Sequence, residues 1–362
     1  MRRGVPLPKR SMRLLNGPHD LGRGPVFWAC MLLLAAGFLG YPVVASSFAA
    51  TNVAFYLLNI PMALGLSVLW GYGGVLSFGQ VAFFGIAGYT YGIVAGNLQD
   101  VAFGTPIATV AALLAAGLTA AAFGYFVFYG RVAAWIVPIL TLVLALLLAT
   151  FLGLTAGYEW RVGDVQLGGY NGMTGIPALQ IGNLTFQDYA FFYLACGTVV
   201  LCYLGLRMWV NAHRGQVLMA IREDALRTEL LGYDVRLEQL RAFVLSAVLA
   251  GVSGLLYVQW GNYITPSSLG LQQAALPVIW VAVGGRTSLL AVAIATFLLN
   301  QLTYVLSSSG NQYALVIVGG LLVAVMMFAP DGIVVGIARL RCWPALRWRR
   351  RADRQAVMHH GE

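Results

Sequence analysis

Val132-Ala-Ala-Trp-Ile-Val-Pro-Ile-Leu-Thr-Leu-Val-Leu-Ala-Leu-Leu-Leu-Ala-Thr-Phe-Leu-Gly-Leu154 contains no charged residue. A helix that crosses the hydrocarbon core needs about 20 predominantly apolar residues, so this stretch predicts a membrane span. Nine more runs of similar character follow the same rule: approximately 26–46, 52–70, 75–95, 106–128, 189–210, 242–260, 271–283, 289–306 and 313–329. The 75–95 run is laden with glycine and the 271–283 run is short, so both are also readable as broken or re-entrant segments. Composition agrees with this pattern. The chain has 362 residues, 59% hydrophobic and 10% charged, with a mean hydropathy of +0.78. Such values exclude a water-soluble globular enzyme, a disordered chain and a nucleic-acid-binding domain. The fold class is therefore all-α and polytopic, with about ten transmembrane helices (about eight to eleven if the irregular runs are counted differently).

The basic residues orient the spans. Of 22, one is lysine, Lys9, and the rest are arginine. With ten crossings and a cytoplasmic N-terminus, all but Arg161 fall on the cytoplasmic side, as the positive-inside rule requires. Both termini are then cytoplasmic, and the net charge of +9 records topology and contact with anionic lipid, not a nucleic-acid partner. Trp28, Trp70, Trp135, Trp209 and Trp260 lie at span ends, as interfacial anchors do. The basic leader and first apolar run resemble a secretory signal, but a run of about 21 residues exceeds the ~7–15 of a signal-peptide core and is read as a membrane helix.

All 13 acidic residues fall in tails or connecting segments, and no carboxylate, histidine or lysine lies in a predicted span interior. Ion-coupled carriers usually hold an ionisable group at membrane depth, because its change of charge couples ion movement to transport. The pattern disfavours such a carrier and an intramembrane hydrolase, although sodium sites built from carbonyls and hydroxyls are compatible with it. Cys30, Cys196, Cys202 and Cys342 have no metal-ligand spacing, so no metal site is expected.

Three segments carry more than hydropathy. The charged stretch 211–241 places Val217, Leu218, Ile221, Ala225, Leu226 and Leu230 at helical spacing, predicting one or two amphipathic helices outside the bilayer, with Gly232 closing the last. Such a helix either rests on the membrane surface or enters a groove on a cytoplasmic partner, with Arg222, Glu223 and Asp224 orienting it. The segment Trp70-Gly-Tyr-Gly-Gly-Val-Leu-Ser-Phe-Gly-Gln-Val-Ala-Phe-Phe-Gly-Ile-Ala-Gly88 brings polar Ser77 and Gln80 into the membrane among six glycines, which permit close helix packing or a helix break. No strand precedes it and no P-loop lysine follows, so ATP chemistry must belong to another polypeptide. The exterior segment 158–187 contains Gly168-Gly-Tyr-Asn-Gly-Met-Thr-Gly-Ile-Pro177 and is read as a loop, the mouth of a path or a receiving surface. Ser77, Gln80, Asn171 and Thr174 are the candidate pathway residues.

These places resemble the permease subunits of branched-chain amino acid uptake systems, within the hydrophobic amino acid group of ABC importers. The resemblance runs through Trp70 to Gly85, Gly215 to Gly232, Asn171-Gly-Met-Thr-Gly175, Ala242-Phe-Val-Leu-Ser-Ala-Val-Leu-Ala-Gly-Val-Ser-Gly-Leu-Leu-Tyr257 and Met327-Phe-Ala-Pro-Asp-Gly-Ile333, covering roughly residues 50 to 335. Thr287, 291–295 and Leu226-Arg-Thr228 depart from the family pattern. Val278-Ile-Trp-Val-Ala-Val-Gly-Gly-Arg286, with Leu231-Gly-Tyr233, is more similar to urea and short-amide permeases.

The resemblance implies a transmembrane permease domain over 25–335 between basic tails 1–24 and 336–362, in a bacterial inner membrane. It implies a non-enzymatic subunit that binds no cofactor itself and pairs with a second, related permease, two cytoplasmic ATPases holding ATP and magnesium, and a periplasmic binding protein. Gly215, Ala220, Ile221, Arg222, Glu223, Asp224 and Gly232 would form the ATPase-coupling loop. Urea or a short amide is the alternative substrate class, and an ion-coupled secondary transporter the alternative of another kind.

Overall fold

The computed structural model describes residues 14–22, 24–101, 103–182, 184–308 and 319–320. It is predominantly helical. α1 spans Gly24–Val44, α2 Ser47–Leu57 and α3 Ile60–Leu66, which continues into a π-helical turn, Ser67–Tyr72. α4 spans Gln80–Asn97, α5 Gly104–Tyr129, α6 Val137–Leu154 and α7 Asp188–Asn211. Two short helices, α8 His213–Glu223 and α9 Ala225–Leu230, precede α10 Val235–Gly261, α11 Leu271–Gly284 and α12 Leu289–Ser308.

Among the described residues, seven helical segments are long and apolar enough to cross a membrane, with the chain from Ser47 to Tyr72 counting as one. The difference from ten predicted runs has three sources. Within the 75–95 run α4 begins only at Gln80, and its 18 residues, with four glycines and polar Gln80 and Asn97 at the ends, are long enough but not apolar enough; the 271–283 run is the 14-residue α11, with Pro277 inside it. The 313–329 run, except for 319–320, lies outside the described residues, as do residues 1–13 and the tail from 321 on.

Packing centres on α4, α5 and α10. Ala108, Ala112, Ala116, Ala120 and Gly124 recur every fourth residue along α5 and are all buried. That spacing aligns small side chains on one face, so the backbones approach closely where lipid supplies no hydrophobic driving force between helices. A side chain on Gly251 of α10 would lie 3.2 Å from the Cβ atoms of both Ala116 and Ala87. α1 buries none of its residues and lies on the outside of the bundle.

Helix ends are set by local chemistry. Asp224 caps α9 by accepting from Arg227 N at 3.0 Å, and Asp234 caps α10 by accepting from Leu237 N at 3.1 Å. Pro138 stands in the first turn of α6, where no intrahelical donor is lost. α7, with 24 residues, is about 36 Å long, so the 158–187 segment before it and the α8–α9 pair after it lie at opposite ends of the bundle. Short antiparallel pairs form at the first of these ends: β1 Arg161–Val162 with β2 Val165–Gln166, β3 Met173–Thr174 with β6 Tyr263–Ile264, and β4 Gln180–Ile181 with β5 Leu184–Thr185.

Candidate translocation path and coupling surface

The chain between the π-helical turn and α4 is a break inside the bundle. Gly74 adopts φ +75, a conformation that favours glycine. Irregular backbone inside a membrane protein needs internal partners, and here they are present. Gly73 N donates to Val68 O at 3.1 Å, Gly74 N to Trp70 O at 3.0 Å and Val75 N to Leu69 O at 3.1 Å. Phe78 N donates to the Thr141 hydroxyl of α6 at 3.1 Å, and Gly79 N to the Ser77 hydroxyl at 3.2 Å.

Gln80 opens α4. Its side chain is 1% exposed, and Nε2 donates to the Ser246 hydroxyl of α10 at 3.0 Å. Ser246 is about 16 Å along α10 from Val235, so this contact is well inside the bundle. Oε1 of Gln80 is buried without a hydrogen-bond partner. A buried acceptor left unpaired costs ~1–3 kcal/mol, so a group that donates to it gains that much over an already satisfied site. Ser77, fully buried, stands three residues upstream. The two sequence-predicted residues of the break are therefore both buried in it, Ser77 accepting from Gly79 N and Gln80 donating to Ser246.

Asn171 and Thr174 do not join them. Thr174 pairs with Tyr263 in the β3–β6 ladder and lines a cleft of about 330 Å³ with Gly92 and Gly96 of α4 and Asp164 to Gln166. Gly92 is about 18 Å along α4 from Gln80. Asn171 is exposed at the end of a 3₁₀ turn and does not line that cleft. The outer segment is tied to the bundle through Tyr91, whose hydroxyl donates to Pro177 O at 2.9 Å, and through Leu179 N, which donates to Gln259 Oε1 at 2.5 Å.

At the opposite end, α8 presses on the break. Leu218 and Ile221 are buried, and a side chain on Gly73 would meet Leu218 Cδ1 at 3.2 Å. Arg222 turns back toward the bundle. Its Nη1 donates to Gly71 O at 2.6 Å, while its other nitrogens bind the Glu223 carboxylate. Gly71 packs so closely on the α11–α12 connection that a Cβ there would collide with Arg286 O, and Ser67 donates to that same carbonyl at 2.9 Å.

Of the one or two amphipathic helices expected over 211–241, two form. Asp224 is extended and caps a new helix, so Val217, Leu218 and Ile221 face inward while Leu226, Leu230 and Leu231 are 68%, 80% and 76% exposed. Ala220 and Glu223 are exposed as well. Gly215 contacts the end of α7, where a side chain would strike Val210 O, and Gly232 follows α9 at φ +91. Of the coupling residues expected from sequence, Gly215, Ile221 and Arg222 thus bind inward, Asp224 and Gly232 shape the turns, and Ala220 and Glu223 face out.

Sequence reasoning missed one cluster. Asp20, assigned to a solvated tail, is buried against Arg207 near the end of α7. Arg207 stands inside the apolar run 189–210, and a lone charge in such a run marks a site by default.

A family model describing the permease component of branched-chain amino acid transport systems matches residues 46–326. The chain belongs to this permease family. Over 337 residues the permease is 27% identical to the high-affinity branched-chain amino acid transport system permease protein LivM of Escherichia coli K12, covering 85% of this chain and 74% of that one. It is 26% identical over 365 residues to LivM of Salmonella typhimurium LT2, covering 91% of this chain and 81% of that one. No solved structure matches it. Family membership and the apolar helices make the permease a multi-pass membrane protein.

Proposed function

We propose that this permease forms the translocation path of an ATP-driven importer in a bacterial inner membrane, taking up branched-chain or related hydrophobic amino acids. The observation that carries the reading is the hydrogen bond from Arg222 to Gly71 O. It links a short helix outside the bundle to the π-helical turn, and from Tyr72 only seven residues of glycine-rich chain lead to Gln80. A push on α8 therefore acts on the break itself. Packed elements of this kind switch between discrete arrangements, and a break beside Ser77 and Gln80 is placed to open to one side and then the other.

The exposed Leu226, Leu230 and Leu231 supply an apolar anchor for a cytoplasmic ATPase, which holds ATP and magnesium, and exposed Ala220 and Glu223 border it. This permease itself binds no cofactor. A second, related permease completes the path, and a periplasmic binding protein delivers substrate to the 158–187 surface. Both named relatives are branched-chain amino acid permeases, which favours that substrate class over urea or a short amide. The test is uptake of radiolabelled leucine into proteoliposomes holding the co-purified complex. Uptake that needs ATP inside and binding protein outside is expected; equal uptake by this chain alone without ATP would overturn the reading.

A further inference from the structure

A second cleft, of about 470 Å³, opens between α5, α7 and α10 at the end of the bundle that carries α8. Arg214, the second residue of α8, and Arg241 of α10 line it together with the indole of Trp209. The remaining walls are aliphatic, with Val244 and Val248 prominent among them. Residues 241, 244 and 248 follow one another on a single face of α10. Val248 is consequently about 10 Å farther along the helix from the charged end than Arg241. The cleft is amphipathic along its length, cationic at one end and apolar at the other.

Its charge is only partly compensated. Arg241 pairs with Glu238, but among the described residues no carboxylate pairs with Arg214. A polar solute finds no partner along the valine wall, and an uncharged lipid leaves the cation unpaired. A molecule with an anionic head and an acyl chain satisfies both ends, with the indole at the boundary where tryptophan is favoured. We propose that this cleft binds one anionic phospholipid, its phosphate on Arg214 and Arg241 and an acyl chain along Val244 and Val248. Basic pockets between helices hold such headgroups by the same combination of charge and burial. Because Arg214 belongs to α8, the lipid ties the first turn of that helix to α10. The inference concerns a lipid contact and is independent of the transported substrate.

Native mass spectrometry of the full chain, released from detergent with phosphatidylglycerol, cardiolipin or phosphatidylcholine at equal concentration, tests it. Anionic adducts are expected to outlast phosphatidylcholine. Arg214→Gln should weaken them about fivefold, the effect of one cation near a headgroup, whereas Arg227→Gln on exposed α9 should not. Val248→Trp, which fills the apolar end and keeps both arginines, should also expel the lipid; if that variant fails to insert, Val244→Phe serves the same purpose. Equal retention of phosphatidylcholine, equal loss in Arg227→Gln, or retention in the filled variant overturns the proposal. So does a co-purified permease partner that crosslinks across Val248 with no lipid adduct present.

Discussion

The Arg207 guanidinium lies 3.1 Å from the Asp20 carboxylate, and both side chains are fully shielded from solvent. Arg207 also donates to Leu15 O at 2.7 Å, Leu21 O at 3.1 Å, Gly22 O at 2.6 Å and the Tyr203 hydroxyl at 2.6 Å. Ser288 donates to Asp20 at 3.0 Å, and the Tyr72 hydroxyl is within 2.8 Å of both His19 O and Thr287 O. The ion pair together with the Tyr72 hydroxyl therefore fastens the segment before α1 to α7, to the π-helical turn and to the α11–α12 connection, all at the end that carries α8.

Removing one member of a buried pair leaves the other charge unsolvated, at ~3–5 kcal/mol. Arg207→Met takes a donor from three backbone carbonyls at once and leaves the Asp20 carboxylate with neutral donors such as Ser288. Asp20→Asn leaves Arg207 with its carbonyl partners. Arg207→Met is therefore expected to lower the melting temperature of the purified permease more than Asp20→Asn, measured by intrinsic fluorescence in detergent. A larger loss in Asp20→Asn would contradict this ordering.

Glycine at position 71 is a matter of space. A Cβ there collides with Arg286 O, a backbone atom that cannot swing away. Overpacking of this kind costs ~1–3 kcal/mol. Gly71→Ala should reduce the yield of monodisperse permease, whereas Gly197→Ala in α7, where a side chain meets nothing within 4 Å, should leave size-exclusion profiles unchanged.

How much of this was legible in the sequence follows the range of the interactions. α1, α5, α6, α7, α10 and α12 were readable because a span depends only on the local density of apolar residues. The break before α4 was signalled by its glycines and by Ser77 and Gln80. The Asp20 to Arg207 contact joins residues far apart in sequence, and no local pattern predicts which tail carboxylate reaches an embedded arginine. The division of the 217–230 stripe had a local sign, Asp224 as a helix cap, but the same periodicity suits one bent helix. Likewise, Thr174 and Gln80 both mark polar positions, and only the length of α4 shows them at opposite ends.

The inward turn of Arg222 separates the two roles proposed for the charged loop. Arg222→Gln loses the charge-assisted bond to Gly71 O and leaves the leucines of α9 untouched. ATPase subunits should still co-purify with it, and ATP should still be hydrolysed, while leucine uptake falls at least tenfold. Leu226→Glu with Leu230→Glu should do the reverse and abolish co-purification, with insertion unaffected. Loss of co-purification in Arg222→Gln would assign that residue to the docking surface instead.

At Gln80 stability and transport should part. Gln80→Met removes the bond to Ser246, worth ~0.5–1.5 kcal/mol net, but also removes the unpaired buried Oε1, whose burial costs ~1–3 kcal/mol. The two changes oppose each other, so the melting temperature should move little. If Gln80 Oε1 accepts from a substrate donor during passage, the same variant loses that bond with nothing to offset it. The concentration of leucine giving half-maximal uptake should then rise, by about tenfold for a bond of ~1.4 kcal/mol, in the reconstituted complex. An unchanged uptake curve together with a raised melting temperature would make Gln80 a packing residue and move the path away from the break.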